Sequence, residues 1–298
     1  MVVSMPLSSQ RLFSVCALCY GDYPELSRRC LVSLAAASSV GAVLLQDFRI
    51  GLNACSPGTF AVVSEAAGEI AAAGVPVYLY RSEPPEANAC KYPLMRRMFW
   101  GGVPLASRVM WFDDDSYLTG ADREWWLRVS SLLDRYEIIG KRYLMPVQGR
   151  QWEWIQTQPW YNPAVGLPRR YRGRPHFEFR QGAWWAARSD LLRRLNWPLP
   201  ELRHNGGDSL LGEACRHIGA SQGDFEEGVR INADAAGRHS GAKRRGHHEP
   251  VLGKQYQGEP LGTSHQDFEC LVAVIPAITN ARKQIQRGSH GPDRGQVL

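Results

Sequence analysis

Four apolar strand-like runs alternate with helical stretches in the first 113 residues, and the fourth run ends in three consecutive carboxylates. The strand-like runs lie at residues 12–20 (LFSVCALCY), within 41–54, at 75–80 (VPVYLY) and at 108–113. Helical stretches at 26–37, at 59–73 and from about Lys91 separate them, and Pro93 suits the first turn of the last, where its missing N–H costs nothing. Alternation at this pace argues for a parallel, doubly wound α/β sheet with right-handed crossovers. Further along, residues 121–136 repeat apolar positions at helical period, 138–147 and 176–188 read as strands, 208–218 as a helix and 228–232 as a short strand. Residues 148–175 show no periodicity and read as a long functional loop. Beyond Gln255 only 268–278 looks able to pack, and 289–298 reads as disordered.

The stretch Val109-Met110-Trp111-Phe112-Asp113-Asp114-Asp115-Ser116 is the point of greatest chemical interest. Side chains alternate along a strand, so Asp113 and Asp115 face one way and Asp114 the other. Adjacent carboxylates repel unless a cation sits among them, and a divalent ion with oxygen ligands is the common solution. A solvated loop tip is the plainer alternative. The carboxyl end of a buried strand, where open α/β sheets bind ligands, favours the cation.

The net charge of +6 over 298 residues is unevenly spread: residues 141–194 hold eleven Lys/Arg against Glu153, Glu178 and Asp190. A basic segment interleaved with aromatics suggests a polyanionic partner. Seven cysteines lack the spacing of a disulfide scaffold, and Cys16 and Cys19, on opposite faces of the first strand, read as buried free thiols. No signal peptide and no bilayer-length apolar stretch is legible, so a cytoplasmic protein is expected.

Four features in order resemble nucleotide-sugar-dependent glycosyltransferases of the GT-A fold, closest to the inverting family 2 type. Asp113-Asp114-Asp115 matches the DxD motif. Gln181-Gly182-Ala183-Trp184-Trp185 looks like the segment lining the donor sugar. Gly206-Gly207-Asp208 matches the acidic catalytic motif, and Gly237-Arg238-His239 lies where the family often places a late metal-binding histidine. The resemblance spans roughly residues 12–250. It implies a single catalytic domain over 1–255, with a nucleotide-sugar half at 11–120, an acceptor half at 121–255 and a partly disordered extension at 256–298.

The resemblance also assigns roles. Asp113, Asp115 and His239 would hold Mn²⁺ or Mg²⁺ on the diphosphate of a donor, UDP-glucose or similar. Donor contacts would come from Asn53 (where the family usually has Asp), Lys91, Arg96, Asp114, Gly182, Ala183 and Trp184. Asp208 would be the general base, although a plain helix N-cap aspartate is the simpler reading of it; Glu213 reads as structural. Trp152, Trp154, Trp160, Arg170 and Arg172 would face the acceptor, since Trp stacks on sugars and bases and Arg binds phosphate. This basic, aromatic side is compatible with the phage-type group that glycosylates hydroxymethylated pyrimidines in DNA. A saccharide or small-molecule acceptor stays open. So do a metal-dependent phosphohydrolase or nucleotidyltransferase, and a nucleic-acid-binding protein on an inactive scaffold.

Overall fold

The run Phe13–Tyr20 is buried at every position, as expected of a strand covered on both faces. It forms β1 at the centre of the sheet in a computed structural model that describes residues 11–81, 89–147, 149–202, 206–231 and 271–275. After it come α1 (Pro24–Gly41), β2 (Leu45–Asn53), α2 (Pro57–Ala72), β3 (Val77–Arg81), α3 (Lys91–Trp100) and β4 (Arg108–Asp113). The next elements are β5 (Tyr117–Leu118), α4 (Arg123–Arg135), β6 (Ile138–Pro146), α5 (Gly149–Gln156), β7 (Arg170–Tyr171) and β8 (Arg174–Arg188). The remainder are α6 (Ser189–Arg194), α7 (Gly207–His217), β9 (Gln222–Asp224), β10 (Val229–Arg230) and β11 (Leu271–Ile275).

The main sheet has the order β11-β3-β2-β1-β4-β8-β6-β9, with β7 paired to β8. The β3-β2-β1-β4 block is parallel, as the alternation predicts. The other half departs from it: β8 runs antiparallel to both β4 and β6, while β6 and β9 are parallel. The order reverses at β1, so the carboxyl ends of β1 and β4 open the crevice where ligands bind in such sheets.

Helix starts follow their sequence. Ser56 caps α2 by accepting from the Thr59 N–H at 3.2 Å, with Pro57 in the first turn, and Asp122 caps α4 by accepting from the Trp125 N–H at 2.8 Å. Two apolar layers sandwich the sheet. One joins Val15, Ala17 and Cys19 to α1, α2 and α4; the other joins Cys16, Leu18 and Trp111 to α3, α6 and α7. Cys16 and Cys19 therefore lie on opposite faces as free, buried thiols, each with its pKa raised by burial.

Two features went unforeseen. Arg49 on β2 is fully buried, paired with Asp47 at 2.8 Å and donating to the carbonyls of Val103 and Pro104, so it pins the link from α3 to β4. The 148–175 segment is also more ordered than its composition suggests, for it contains α5, a 3-10 turn at Pro163–Val165 and β7. Of the expected C-terminal extension, residues 271–275 form β11, which adds to β3 antiparallel. Among the described residues no helix is long and apolar enough to cross a membrane.

Candidate active site

Of the three carboxylates only Asp113 belongs to β4, and Asp114 and Asp115 follow it in a turn. Asp114 is 1% exposed, and its Oδ2 accepts from the Tyr20 N–H at 3.0 Å and from the Ser27 hydroxyl at 3.4 Å. It ties β4 to the end of β1 and the start of α1, which argues against the donor contact expected of it. Asp113 faces the other way, as alternation requires. Its Oδ1 accepts from Trp111 Nε1 at 3.0 Å and its Oδ2 from Lys91 Nζ at 2.8 Å. Asp115 is 5% exposed, and its charge is felt both at Lys91 and at the Cys30 thiol.

Lys91 opens α3 and also donates to the Gly182 carbonyl at 2.9 Å. Burial works against its charge, but Asp113, Asp208 and Asp115 outweigh that cost and raise its pKa.

Gly182 reaches this position through a bulge. Gly140 pairs with Trp185 and Arg142 with Arg180, so two steps on β6 match five on β8. The extra residues fall in the Gln181–Trp184 stretch and turn the backbone toward the site. The Gly182 carbonyl meets Lys91, and its N–H bonds the Asp208 carboxylate. A β-carbon at Gly182 would lie 2.0 Å from Asp208 Oδ1. Gly182→Ala is therefore expected to push the carboxylate out of place, at a cost of about 1–3 kcal/mol in stability. Thermal melting checks the cost, and an unchanged melting temperature would contradict the packing described.

Asp208 is the second residue of α7. Tyr92 donates its hydroxyl to Oδ1 at 2.9 Å. The two preceding glycines have separate reasons. Gly206 sits at φ +80°, in the left-handed region, and a β-carbon at Gly207 would meet the Tyr92 hydroxyl at 2.2 Å. The close approach is to Tyr92, a residue that spacing gave no reason to single out. Burial raises the Asp208 pKa and Asp113 adds to it, against the opposing pull of Lys91, Tyr92 and the Gly182 N–H. The same surroundings raise the Tyr92 pKa, so its hydroxyl stays a donor.

The structure thus gathers Asp113, Lys91, Gly182 and Asp208 around one point, with Asp115 near enough to act on Lys91. Other expected residues lie elsewhere. Asn53 ends β2 fully buried; its Oδ1 accepts from the Ala89 N–H at 2.9 Å, and its Nδ2 has no hydrogen-bond partner among the described residues. Arg96 points away from the cleft and donates to the Pro198 carbonyl at 2.7 Å and to Asn196 Oδ1 at 3.1 Å, so it fastens α3 to the turn after α6. Trp184 is wholly buried between Phe112 and Phe225, on the opposite face from Lys91, and Ala183 is 5% exposed. His239 lies outside the described residues.

The aromatic acceptor residues also turn inward. Trp154 is 7% exposed in the core. Trp152 and Trp160 pack about His217, with ring centroids 6.2 and 5.8 Å away, and Tyr161 comes to 4.7 Å. Arg170 and Arg172 sit on the β7–β8 hairpin, at the far end of β8 from Gly182. Arg180 lies six positions after Arg174 along β8, which at about 3.3 Å per residue is roughly 20 Å. Glu213 is structural as expected, buried and paired with Arg216 at 2.6 Å.

No family model matches the sequence, and neither does any curated protein. Among solved structures, the mannosyltransferase PcManGT of Pyrobaculum calidifontis, in complex with GDP-Man and Mn²⁺, aligns with TM-score 0.52 at 13% identity. The alignment covers 86% of this chain and 66% of that one. Looser similarities are to glucosyl-3-phosphoglycerate synthase from Mycobacterium tuberculosis (TM-score 0.43, 15% identity, 90% of each chain) and to S. aureus TarS (0.43, 13%, covering 72% of this chain and 35% of that one). In its central mixed sheet, mostly parallel and flanked by helices, the chain has the GT-A fold.

Proposed function

We propose that this protein is a metal-dependent, inverting glycosyltransferase that takes a sugar from a nucleotide diphosphate and delivers it to a hydroxyl. The observation that carries the reading is a pair of carboxylates, Asp208 and Asp113, set across one buried ammonium at the mouth of a GT-A sheet. The mannosyltransferase of similar fold, solved with GDP-Man and Mn²⁺, supports the donor class.

Both oxygens of Asp113 are engaged by Trp111 and Lys91, and among the described residues no three His, Cys, Asp or Glu side chains form a metal cage. That donor set fits Mn²⁺ or Mg²⁺ held by one or two carboxylates and completed by ligand phosphates. Asp115 is the residue we assign to the ion, which when bound would stabilise the charge on the departing diphosphate. Lys91 has three N–H donors and uses two on Asp113 and Gly182; the third is assigned to the diphosphate. The buried Nδ2 of Asn53 is assigned to the nucleotide, with uridine as the expected base. Asp208 takes the acceptor's proton as that oxygen attacks the anomeric carbon from the face opposite the leaving group. Tyr92 and the Gly182 N–H keep the carboxylate oriented meanwhile. The charge of residues 141–194 supports a DNA acceptor carrying a hydroxymethylated pyrimidine, flipped from its stack to reach the site.

A panel of nucleotide sugars tested for Mn²⁺-dependent binding examines this reading. Wild type should bind at least one donor, and Asp115→Ala should lose the metal-dependent part of that affinity. Absence of binding to every donor would sink the proposal, and tight metal-dependent binding by the variant would remove Asp115 from it.

A further inference from the structure

Several arginines of this molecule are locally neutralised: Arg28, Arg108, Arg128, Arg188 and Arg194 each pair with a carboxylate. The β7–β8 hairpin instead gathers arginines that are not. Arg169, Arg170, Arg172 and Arg174 are all exposed, and none pairs with a carboxylate among the described residues. The Arg172 guanidinium instead lies 5.3 Å from the Tyr171 ring centre.

A tight turn presents these charges. Tyr171 pairs with Arg174 across a two-residue turn, and both turn residues have positive φ, Arg172 at 49° and Gly173 at 80°. This is the primed turn that matches strand twist, a setting in which Asn-Gly is the usual choice. An arginine in the left-handed region costs about 1–2 kcal/mol, so a charge stands at the tip against the local preference.

Alternation divides the cations between two faces. Arg169, Tyr171, Arg174 and His176 share one, and the Tyr171 ring meets His176 edge-on at 5.4 Å. Arg170 occupies the other, while Arg172 stands in the turn with its guanidinium toward the Tyr171 ring. Beside the hairpin lies a groove of about 440 Å³ lined by Arg142, Arg169, Arg170, Tyr171, His176 and Arg216. Its two acids are already committed, Glu178 to Arg142 and Arg180, and Glu213 to Arg216.

We propose that the β7–β8 hairpin is a docking element for duplex DNA, inserted in the major groove so that its two arginine-bearing faces meet the two phosphate backbones. The major groove of B-form DNA admits a two-stranded β-ribbon, whereas that of A-form RNA is too narrow for side chains to enter. A single strand or an acidic peptide would use one face and leave the other charged and unmet. Guanidinium forks suit phosphate oxygens, and four unpaired ones favour a polymer whose counterions are released on binding.

The hairpin stands roughly 20 Å from the bulge at Gly182, about six base pairs at 3.4 Å per step. It therefore grips DNA away from the base being modified. Its use in the reaction rests on the DNA-acceptor reading above, but the contact itself needs no donor.

The test is fluorescence anisotropy on a labelled duplex two helical turns long, as a function of salt, with no donor present. A variant with Arg169, Arg170, Arg172 and Arg174 all changed to Ser is compared with one lacking the exposed Arg123, Arg135, Arg193 and Arg230, which changes net charge equally. The hairpin variant should lose about 10–100-fold in affinity, with a salt slope shallower by roughly three to four, near one per lost phosphate contact. The control variant should stay close to wild type. Arg172→Asn, which suits the turn better, should retain the fold and reduce the slope by about one. Equal losses in the two quadruple variants would overturn the proposal, as would wild-type binding to single-stranded DNA, duplex RNA or inorganic polyphosphate as tight as to duplex DNA. Hairpin-dependent binding to duplexes carrying hydroxymethylated pyrimidines, with no sugar transferred from any donor, would leave the docking element standing and remove the DNA-acceptor reading.

Discussion

Asp208→Asn is expected to bind donor as wild type does and to turn over about 10²–10⁴ times more slowly, the range for a lost general base. The amide keeps an oxygen for the Tyr92 hydroxyl, so α7 and α3 stay joined while the proton acceptor is gone. Single-turnover kinetics beside donor titration separates the two effects, and a variant within tenfold of wild type would exclude Asp208 as the base. The pH dependence is a second check. Burial raises the Asp208 pKa, so wild-type activity should fall on the acid side at a higher pH than an ordinary carboxylate would give. The same shift affects stability. The folded protein takes up this proton more readily than the unfolded chain, so this group's destabilising effect fades as pH falls through the raised pKa. The base is strong because its charge is uncomfortable, a trade of stability for activity.

Lys91→Met should be the most damaging single change to stability. It removes a cation from between Asp113 and the Gly182 carbonyl and leaves both near Asp208 without it. Breaking a buried pair by deleting one partner costs about 3–5 kcal/mol. With the Asp113 side chain 21% exposed, the lower end applies, about 3 kcal/mol. For a chain of this size that is a melting point lower by roughly 5–10 °C. Because the Lys91 pKa is raised, its stabilisation is complete below the unfolded lysine value and is lost only as strongly alkaline pH passes the folded one. Calorimetry of Lys91→Met, Asp113→Asn and the double variant gives the coupling directly. Additive losses would mean that the pair does not act as one.

The parallel half of the sheet and its ligand-binding edge were legible because each strand there is a continuous apolar run with its carboxyl end marked by charge. Burial on both faces leaves few other ways to place such a run. Asp113 and Asp208 could be singled out for a related reason, since each sits at a change of period in the chain, and the structure brings both beside Lys91. The direction of β8 was not, because its period of two is the same whichever way the strand runs. Arg96 and the tryptophans of α5 were misjudged because residue type does not reveal which way a side chain faces. Trp152 and Trp160 could stack on a ligand or on His217, and only the docking of residues 149–161 against α7 decides for His217, while Trp154 goes into the core. Tyr92 was hidden for the opposite reason, as its role depends on a glycine more than a hundred residues away having no side chain.

The strand β11 bears on how the chain is made. Its backbone partners on β3 run from Val77 to Arg81, and the pairing residues follow them only about 190 residues later in the chain. Until they arrive, the nascent sheet carries a bare flank of unsatisfied amides beside β3, the kind of edge that recruits other chains. The segment 271–275 therefore serves as a closing seam, and the danger of aggregation is concentrated in the interval before it is sewn.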